Sequence, residues 1–194
     1  MSLKIKEIFY SLQGEGGRQG EASIFIRLSD CNLNCEFCDT DFSGGKMMDL
    51  QEILNIIRSF PCSWIVWTGG EPTLQLSSEI VSFFKKEGYF QAIESNGTRK
   101  LPTGLDYISI SPKGNYSSLI SINPQVDEIR LPVKAGQAIP DIADFPSAKN
   151  YFLSPIFSSE ETETHENIEY CVQFIRQHPQ WRLSLQIHKL IGIE

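Results

Sequence analysis

Short apolar runs recur along the chain, and stretches with helical apolar spacing separate some of them. The runs predict strands at residues 5–10, 23–28, 64–67, 91–94, 107–110, 128–131, 151–153 and 183–187. Several, such as Ile65-Val66-Trp67, are apolar at every position. This pattern is typical of a strand that is covered on both faces of a parallel sheet.

Three stretches predict helices. Asp49 and Glu52 have the spacing of an N-cap and its capping-box partner, and they begin the first helix. The second covers about residues 77–87 and the third about residues 165–177. Residues 114–121 and 135–147 are predicted to be loops, and residues 158–166 a polar, acidic loop. We therefore predict a partial β/α barrel with helices missing from its second half.

Composition and charge narrow the class of protein. A chain of 194 residues fits one domain, and we expect a single domain over residues 1–194. The net charge of -7 argues against a general nucleic-acid binder. No apolar run reaches the ~18 residues of a membrane span, and the first residues do not form a secretory signal. We expect a cytoplasmic protein without a membrane or nucleic-acid partner, in which thiols stay reduced.

Three of the five cysteines, Cys31, Cys35 and Cys38, lie in one short segment after a predicted strand. Three thiolates can converge on one inorganic centre, but structural zinc takes four protein ligands. A [4Fe–4S] cluster also normally takes four cysteines, so three would leave one iron open to another ligand. Cys62 and Cys171 are predicted to be buried small residues. The alternative is a zinc knuckle whose distant fourth ligand is Cys62 or His165.

Polar residues follow several of the other predicted strands. Thr68-Gly69-Gly70-Glu71-Pro72 follows one of them, and its glycines would let the backbone approach a ligand closely. The carboxyl ends of parallel strands face the same mouth of a barrel. We therefore expect Ser111 and Lys113 to lie there, whereas Asn96 could equally be part of a tight turn.

Arg27 is a charged residue in an otherwise apolar run, Ile24-Phe25-Ile26-Arg27-Leu28. A buried arginine needs an anionic partner to offset the cost of desolvation. That partner is either a carboxylate of this chain, Glu15 or Asp30, or a bound carboxylate that the guanidinium holds in a bidentate manner.

The spacing C-x3-C-x2-C, with Phe37 before the last cysteine, resembles the signature of radical S-adenosylmethionine (SAM) enzymes. Five segments together resemble the 7-carboxy-7-deazaguanine synthase family over nearly the whole chain. They are S-L-Q-G-E-G near residue 11, C-x3-C-x2-C-D-T at 31–40, T-G-G-E-P at 68, E-S-N-G-T at 94 and S-P-K at 111. The resemblance implies a reduced barrel of the radical SAM type.

The resemblance also implies the residues of the site. The cysteines Cys31, Cys35 and Cys38 would hold a [4Fe–4S] cluster, and Thr40 would ligate Mg²⁺. A second group would bind SAM: Phe37, Asp39, Gly70, Glu71, Ser111, Pro112 and Lys113. A third group would bind the substrate: Leu12, Gln13, Gly14, Glu15, Arg27, Thr68 and Glu194. Family members often have glutamine before the proline of the late strand, where this chain has Ser154, so no cofactor role is carried over to Ser154.

The implied reaction converts 6-carboxy-5,6,7,8-tetrahydropterin to 7-carboxy-7-deazaguanine with loss of ammonia, in the route to queuosine and related deazapurines. The resemblance implies reduction by flavodoxin or ferredoxin, abstraction of the pterin C6 hydrogen by a deoxyadenosyl radical, and a homodimer. Two other readings remain open. One is a radical SAM activase that makes a glycyl radical on a partner protein, and the other is a non-catalytic zinc-binding module.

Overall fold

The computed structural model describes residues 1–114 and 116–193. Its strands form one sheet in the order β3-β1-β2-β4-β5-β6-β7-β8-β9. The nine strands of the described residues are β1 (Ser2–Leu12), β2 (Ala22–Leu28), β3 (Lys46–Asp49), β4 (Trp64–Gly69), β5 (Phe90–Ser95), β6 (Tyr107–Ile110), β7 (Gln125–Val133), β8 (Ser147–Pro155) and β9 (Trp181–Leu183).

From β2 to β9 all neighbouring strands that the described residues form are parallel. The first strand differs, because β1 pairs antiparallel with both β2 and β3. The sheet begins at β3 and ends at β9, and these edges do not pair with each other in the described part of the chain. The sheet is therefore an open, partial barrel, which confirms the predicted fold class.

The helices are α1 (Leu50–Ile57), α2 (Ser78–Lys86), α3 (Ser117–Ile122), α4 (Glu161–Gln177) and α5 (Ile187–Ile191). The predicted capping box begins α1, because Asp49 Oδ1 accepts from Glu52 N and Glu52 Oε2 accepts from Asp49 N, both at 2.8 Å. No helix of the described residues is long and apolar enough to span a membrane.

Side chains of the parallel strands alternate between two environments. On β2, the side chains of Ile24, Ile26 and Leu28 pack in a core with apolar residues of α1 and α2. Phe25 and Arg27 point the other way, into the barrel interior, where both line a cavity. A second core joins β7, β8 and β9 to α4, including the fully buried Cys171. These two cores lie outside the barrel. A smaller apolar cluster of Phe25, Val66 and Ala92 lies inside it, and the rest of the interior is free to hold polar groups.

Four sequence-based expectations differ from the structure. Residues 114–121 were predicted to be a loop but include most of α3, a short helix that has no side-chain cap. The prediction of an acidic loop over residues 158–166 is also wrong beyond residue 160. Helix α4 begins at Glu161, again without a side-chain cap. The strand predicted at 183–187 lies earlier, at β9, and α5 follows it. The edge strand β3 was missed because its side chains are mostly exposed and show no apolar alternation.

The core between α2 and the sheet gives a test of the packing. Phe84 is fully buried and packs edge-on against Trp67 with ring centroids 5.3 Å apart. We expect Phe84→Ala to lower the free energy of unfolding by about 3–5 kcal/mol, because a cavity replaces the ring. Phe90→Ala is the matched control, since Phe90 is half exposed and stacks only on one face of Trp64. Urea unfolding that shows equal losses for the two variants would contradict this arrangement.

Candidate active site

A cavity of about 620 Å³ opens at the carboxyl ends of the parallel strands. Consecutive strands each place a polar residue at its wall: Arg27 near the end of β2, Thr68 on β4, Glu94 on β5 and Ser111 just after β6. Because these strands are parallel, their ends meet at one mouth. The cavity therefore lies where the sequence predicted that the site would be.

The predicted site residues converge on this cavity with three exceptions. Those that line it are Leu12, Gln13, Gly14, Glu15, Arg27, Cys31, Cys35, Phe37, Cys38, Asp39, Thr40, Thr68, Gly70, Ser111 and Lys113. Glu71 and Pro112 are not part of the lining. Glu194 lies outside the described residues.

The three cysteines of the loop after β2 carry free thiols that line the same cavity. Burial is the main cause that raises the pKa of Cys31, and the charges of Glu71, Cys35 and Cys38 add to it. In the absence of a ligand Cys31 is therefore a neutral thiol at neutral pH. Binding of a metal centre requires thiolate, so it must release this proton.

The fourth ligands that a zinc site would need are not near this loop. Cys62 precedes β4, at the opposite end of the barrel, and its sulfur contacts the carbonyl oxygen of Ala22 at 3.2 Å. His165 is exposed on α4 and pairs with Glu169. Cys171 is buried in the outer core, where burial raises its pKa to about 12. In the described part of the chain, no three His, Cys, Asp or Glu side chains are gathered closely enough to hold a single metal ion.

Three free thiols without a fourth cysteine in the described lining fit a [4Fe–4S] cluster with one open iron better than a closed zinc site. The donor set is soft sulfur, which suits iron–sulfur clusters. The open cavity next to the cysteines leaves space for a further ligand of the kind that SAM supplies.

The glycine turn after β4 supports the cysteine loop from behind. A Cβ atom on Gly70 would overlap the backbone of Asp30 and Cys31, and one on Gly69 would overlap Leu28. Gly70 N donates to Leu28 O at 3.1 Å, and Glu71 N donates to Asp30 O at 2.9 Å. The sequence predicted that these glycines would let the backbone approach a ligand closely. In the structure, Gly70 approaches the chain's own backbone at Asp30, the residue before the first cysteine.

Glu71 is fully buried beneath this turn. Its carboxylate accepts hydrogen bonds from Thr73 N at 3.0 Å, Thr73 Oγ1 at 2.6 Å, Ser95 Oγ at 2.9 Å and Asn96 N at 2.8 Å. These bonds join the turn after β4 to the end of β5. In this structure the Glu71 side chain holds the cavity wall in place and does not face the cavity.

Asn96 links the end of β5 to the cysteine loop. Its side-chain amide donates to Asn32 Oδ1 at 3.0 Å, and its carbonyl oxygen accepts from Thr98 N at 3.0 Å. Asn96 therefore serves the turn, as one interpretation predicted, and it also lies in the cavity lining.

Arg27 pairs with a carboxylate that the sequence did not indicate. Its Nε lies 2.5 Å from Glu7 Oε1, and its guanidinium lies over the ring of Phe9 at 5.5 Å. The expected partners are engaged elsewhere, Asp30 with Lys4 and Glu15 with Arg130. Within the described residues Nη1 and Nη2 of Arg27 have no hydrogen-bond partner, so this end of the guanidinium remains available to a ligand.

Lys113 and Phe37 form a cation–π contact in the cavity lining. The Nζ of Lys113 lies 5.3 Å from the centre of the Phe37 ring and donates to Ser111 Oγ at 2.8 Å. Burial lowers the pKa of Lys113, and the nearby charges of Cys35, Glu15 and Asp39 oppose this effect. Lys113 therefore adds a buried basic group to the cavity wall next to the cysteines.

Two groups of cavity residues were missed by sequence reasoning. The first consists of Arg130 of β7 and Glu94. Arg130 forms a buried ion cluster on the floor with Glu94, with the predicted Glu15 and with Glu128, which does not line the cavity. Glu94, Glu128 and Arg130 occupy positions inside predicted strands. Charged residues in such positions were a signal, because they must face a polar interior or an ionic partner.

The second group lies on the segment around α5. Gln186 Nε2 donates to Glu15 Oε1 at 3.1 Å and to Asp39 Oδ2 at 3.2 Å, and Lys189 pairs with Asp39. Burial opposes ionisation of Asp39, but the hydrogen bond and charge of Lys189 outweigh it and hold the pKa of Asp39 below its usual value. This segment therefore connects the cysteine loop to the loop after β1.

The fold and the three-cysteine cavity are those of a radical SAM protein, and the family model described as the Radical SAM superfamily matches residues 26–129. The crystal structure of QueE from Escherichia coli has the same fold, with a TM-score of 0.73 and 23% identity over 95% of this chain and 94% of that one.

Curated relatives show which family of radical SAM proteins the chain resembles. The 7-carboxy-7-deazaguanine synthase of Bacteroides thetaiotaomicron is 40% identical over 193 residues, which cover 100% of both chains. The enzyme of the same name from Haemophilus influenzae is 40% identical over 100% of this chain and 95% of its own length, and that of Bordetella pertussis is 36% identical over 100% of both. The chain belongs to the 7-carboxy-7-deazaguanine synthase family.

The contact between the glycine turn and the cysteine loop can be tested by adding one methyl group. We expect Gly70→Ala to displace Asp30 and Cys31, because a Cβ has no room against their backbone. Iron bound after anaerobic reconstitution should fall to less than half of the wild-type amount. Gly88→Ala is the control: its φ of 89° makes alanine unfavourable by about 1–2 kcal/mol, but nothing lies near the added methyl group. Full iron loading of Gly70→Ala would show that the turn does not position the cysteines.

Proposed function

We propose that this chain catalyses the radical SAM ring contraction of 6-carboxy-5,6,7,8-tetrahydropterin to 7-carboxy-7-deazaguanine, with loss of ammonia. One observation carries the proposal: three free cysteines share a single cavity with Arg27, whose guanidinium end is open to a carboxylate. Relatives that bear the synthase name match the full length of the chain, which supports the same assignment.

In this proposal Cys31, Cys35 and Cys38 hold the [4Fe–4S] cluster. When bound, the cluster and SAM supply one-electron chemistry that generates an organic radical able to abstract hydrogen from the substrate. The protein contributes orientation and exclusion of solvent, since the hard chemistry is the cofactor's own. No side chain is assigned as a proton acceptor or donor in the loss of ammonia.

The residues proposed to bind SAM surround the cysteines. Phe37 and Asp39 belong to the cysteine loop, Gly70 offers its backbone, and Ser111 and Lys113 come from the segment after β6. Apolar, anionic and cationic groups are thus present for the adenine, amino and carboxylate parts of the cofactor. Glu71 and Pro112 contribute by shaping the two turns, because neither lines the cavity.

The substrate is proposed to lie between Arg27 and the loop after β1. Arg27 is held from one side by Glu7 and from another by the ring of Phe9, so its free end is already oriented before a carboxylate binds. Thr68 and the segment 12–15 line the rest of this region, and we propose that the pterin ring contacts them. The substrate role of Glu194 stays a prediction.

A magnesium ion is proposed at Thr40. Thr40 lines the cavity, and its hydroxyl lies 3.4 Å from Asp39 Oδ1. Oxygen ligands and retained water molecules suit Mg²⁺, and a substrate carboxylate would complete the site. The ion would reduce the repulsion between that carboxylate and the acidic groups around it.

The remaining features of the proposal concern the enzyme as a whole. We propose one domain over residues 1–194, reduction by flavodoxin or ferredoxin, and action in the cytoplasm, where cysteine ligands stay reduced. We also propose a homodimer. Leu190 and Ile191 on α5 expose apolar side chains, and a second copy of the chain would cover them.

Turnover by the reconstituted protein tests this function. Anaerobic protein with SAM, Mg²⁺, a reductant and 6-carboxy-5,6,7,8-tetrahydropterin should form 7-carboxy-7-deazaguanine and ammonia, detected by mass spectrometry. The protein should be brown, with about four irons per chain. Cys35→Ala should lose the colour and the activity, because one of three cluster ligands is gone. Cys62→Ala is its control and should retain both, since Cys62 lies outside the cavity.

The other readings make different predictions for the same sample. A glycyl-radical activase would cleave SAM with an intact cluster but would not convert the pterin. A zinc-binding module would be colourless and carry about one zinc per chain. Either result would refute the synthase assignment.

Removal of the positive charge of Arg27 tests its proposed role in binding the substrate carboxylate. We expect Arg27→Gln to raise KM for the carboxypterin roughly ten- to hundredfold, because a charge-assisted hydrogen bond contributes about 1.5–3 kcal/mol. Steady-state kinetics with either substrate varied should show little change in KM for SAM. The control is Arg58→Gln, which removes an exposed arginine that pairs with Glu87. An unchanged KM for the carboxypterin in Arg27→Gln would remove Arg27 from the substrate site.

A further inference from the structure

The floor of the cavity contains a buried arginine that the proposed chemistry does not use. Arg130 lies on β7 with its side chain directed into the barrel interior, where only a small part of it is exposed. Its Nη2 donates to Ser109 Oγ at 2.9 Å. An arginine buried to this degree is costly unless several anionic groups surround it.

Three carboxylates from separate segments surround this guanidinium. Glu15, from the loop after β1, lies 3.3 Å from Nη1, and Glu94 of β5 pairs with Nη2. Glu128 Oε1, on the same strand as Arg130, lies 3.4 Å from Nε. Among the described residues, Arg130 is the one cation within ion-pair distance of Glu15 or Glu94.

The three carboxylates differ in what else they face. Glu128 is almost fully buried and accepts from Gly17 N at 2.7 Å and Tyr107 OH at 2.8 Å, so its bonds close the lower end of the barrel. Glu15 and Glu94 line the cavity instead, with 20% and 19% of their side chains exposed. Arg130 therefore connects one structural carboxylate to two that a ligand can reach.

Glu15 and Glu94 retain unused acceptor capacity. Besides Arg130, Glu94 accepts from Gln13 Nε2 at 2.9 Å, and Glu15 accepts from Gln186 Nε2 at 3.1 Å and Ser154 Oγ at 3.4 Å. An ionised carboxylate offers about four acceptor positions and no donor. The pair can accept further hydrogen bonds only from a ligand that carries N–H or O–H groups.

Without a cation between them, these two carboxylates would repel each other. Like charges that share a low-dielectric site are unfavourable, and each would turn away or take up a proton. The amide groups of Gln13 and Gln186 are neutral and cannot replace the charge. The planar guanidinium can contact several carboxylates at fixed directions, whereas an ammonium group acts as a point charge.

We propose that Arg130 is a positioning residue that holds Glu15 and Glu94 together as a hydrogen-bond acceptor pair for the N–H groups of the substrate's aminopyrimidinone ring. The inference rests on the proposed function, because it assigns this part of the cavity to the pterin. Arg130 acts through the two carboxylates and does not itself contact the reacting atoms.

Ligand binding without turnover tests this role. Protein loaded with its cluster is titrated with 6-carboxypterin, an oxidised analogue, in the presence of SAM and absence of reductant, and SAM affinity is measured on the same preparation. We expect Arg130→Met to weaken 6-carboxypterin binding at least tenfold and SAM binding less than twofold. Arg130→Lys should restore part of the lost affinity, because it returns the charge without the planar fork.

Arg18→Met is the matched control for the loss of a buried arginine. Arg18 pairs with Glu21, lies over the Trp64 ring at 3.7 Å, and does not line the cavity. Its replacement should lower thermal stability and leave both affinities unchanged. If Arg130→Met fails to fold, Arg130→Lys decides: it should weaken 6-carboxypterin at least threefold with SAM binding unchanged.

Two results would overturn the inference while the proposed function stands. One is wild-type affinity for 6-carboxypterin in Arg130→Met, or in Arg130→Lys where the Met variant does not fold. The other is an equal loss of affinity for both ligands, which indicates a purely structural role. Failure of the wild-type protein to bind 6-carboxypterin would instead refute the proposed function, and the inference with it.

Discussion

The site depends on the alternation of side chains along the parallel strands. Each strand directs every second residue outward to the helices and the others into the barrel. On β2 this places Ile24, Ile26 and Leu28 in the outer core and leaves Arg27 facing the cavity. Because neighbouring strands are parallel, the same rule brings Thr68 and Ser111 to the same mouth. Hydrophobic burial outside the barrel thus stabilises a polar interior that would not be stable alone.

A polar interior is stable only when its charges balance. Arg130 lies among three carboxylates, and the amides of Gln13 and Gln186 satisfy oxygen atoms that the guanidinium does not. Such a network is unfavourable if any member is removed, because the remaining charges stay buried. The same ionic contacts that close the floor of the barrel leave two acceptor groups facing the ligand, so stability and recognition rest on one set of residues.

Backbone contacts hold one end of the cysteine loop, and the segment around α5 holds the other. The turn at Gly69 and Gly70 fits against Leu28 and Cys31 because neither glycine has a Cβ. On the other side, Gln186 and Lys189 bind Asp39, next to the last cysteine. Residues from early, middle and late parts of the chain therefore fix the segment that carries the three thiols. A loop held at both ends can present its sulfur atoms to one centre at a small entropic cost.

The sequence by itself determined the class of fold, most strands, the capped helix α1 and a set of site residues most of which line the cavity. These features leave local signals: apolar runs, an Asp49–Glu52 capping box, and motifs at strand ends. It failed for α3 and the start of α4, which have no side-chain caps, and for β3, whose side chains are mostly exposed.

Only the tertiary structure decided which charges meet. Arg27 pairs with Glu7 of the antiparallel strand β1, and Arg130 gathers Glu15 and Glu94 from segments 115 and 36 positions earlier in the chain. The tertiary structure also places Glu71 in a buried hydrogen-bond network and not in the cavity lining. Ion pairing depends on the distance between side chains in space, and no local pattern encodes the register and curvature that bring distant strands together.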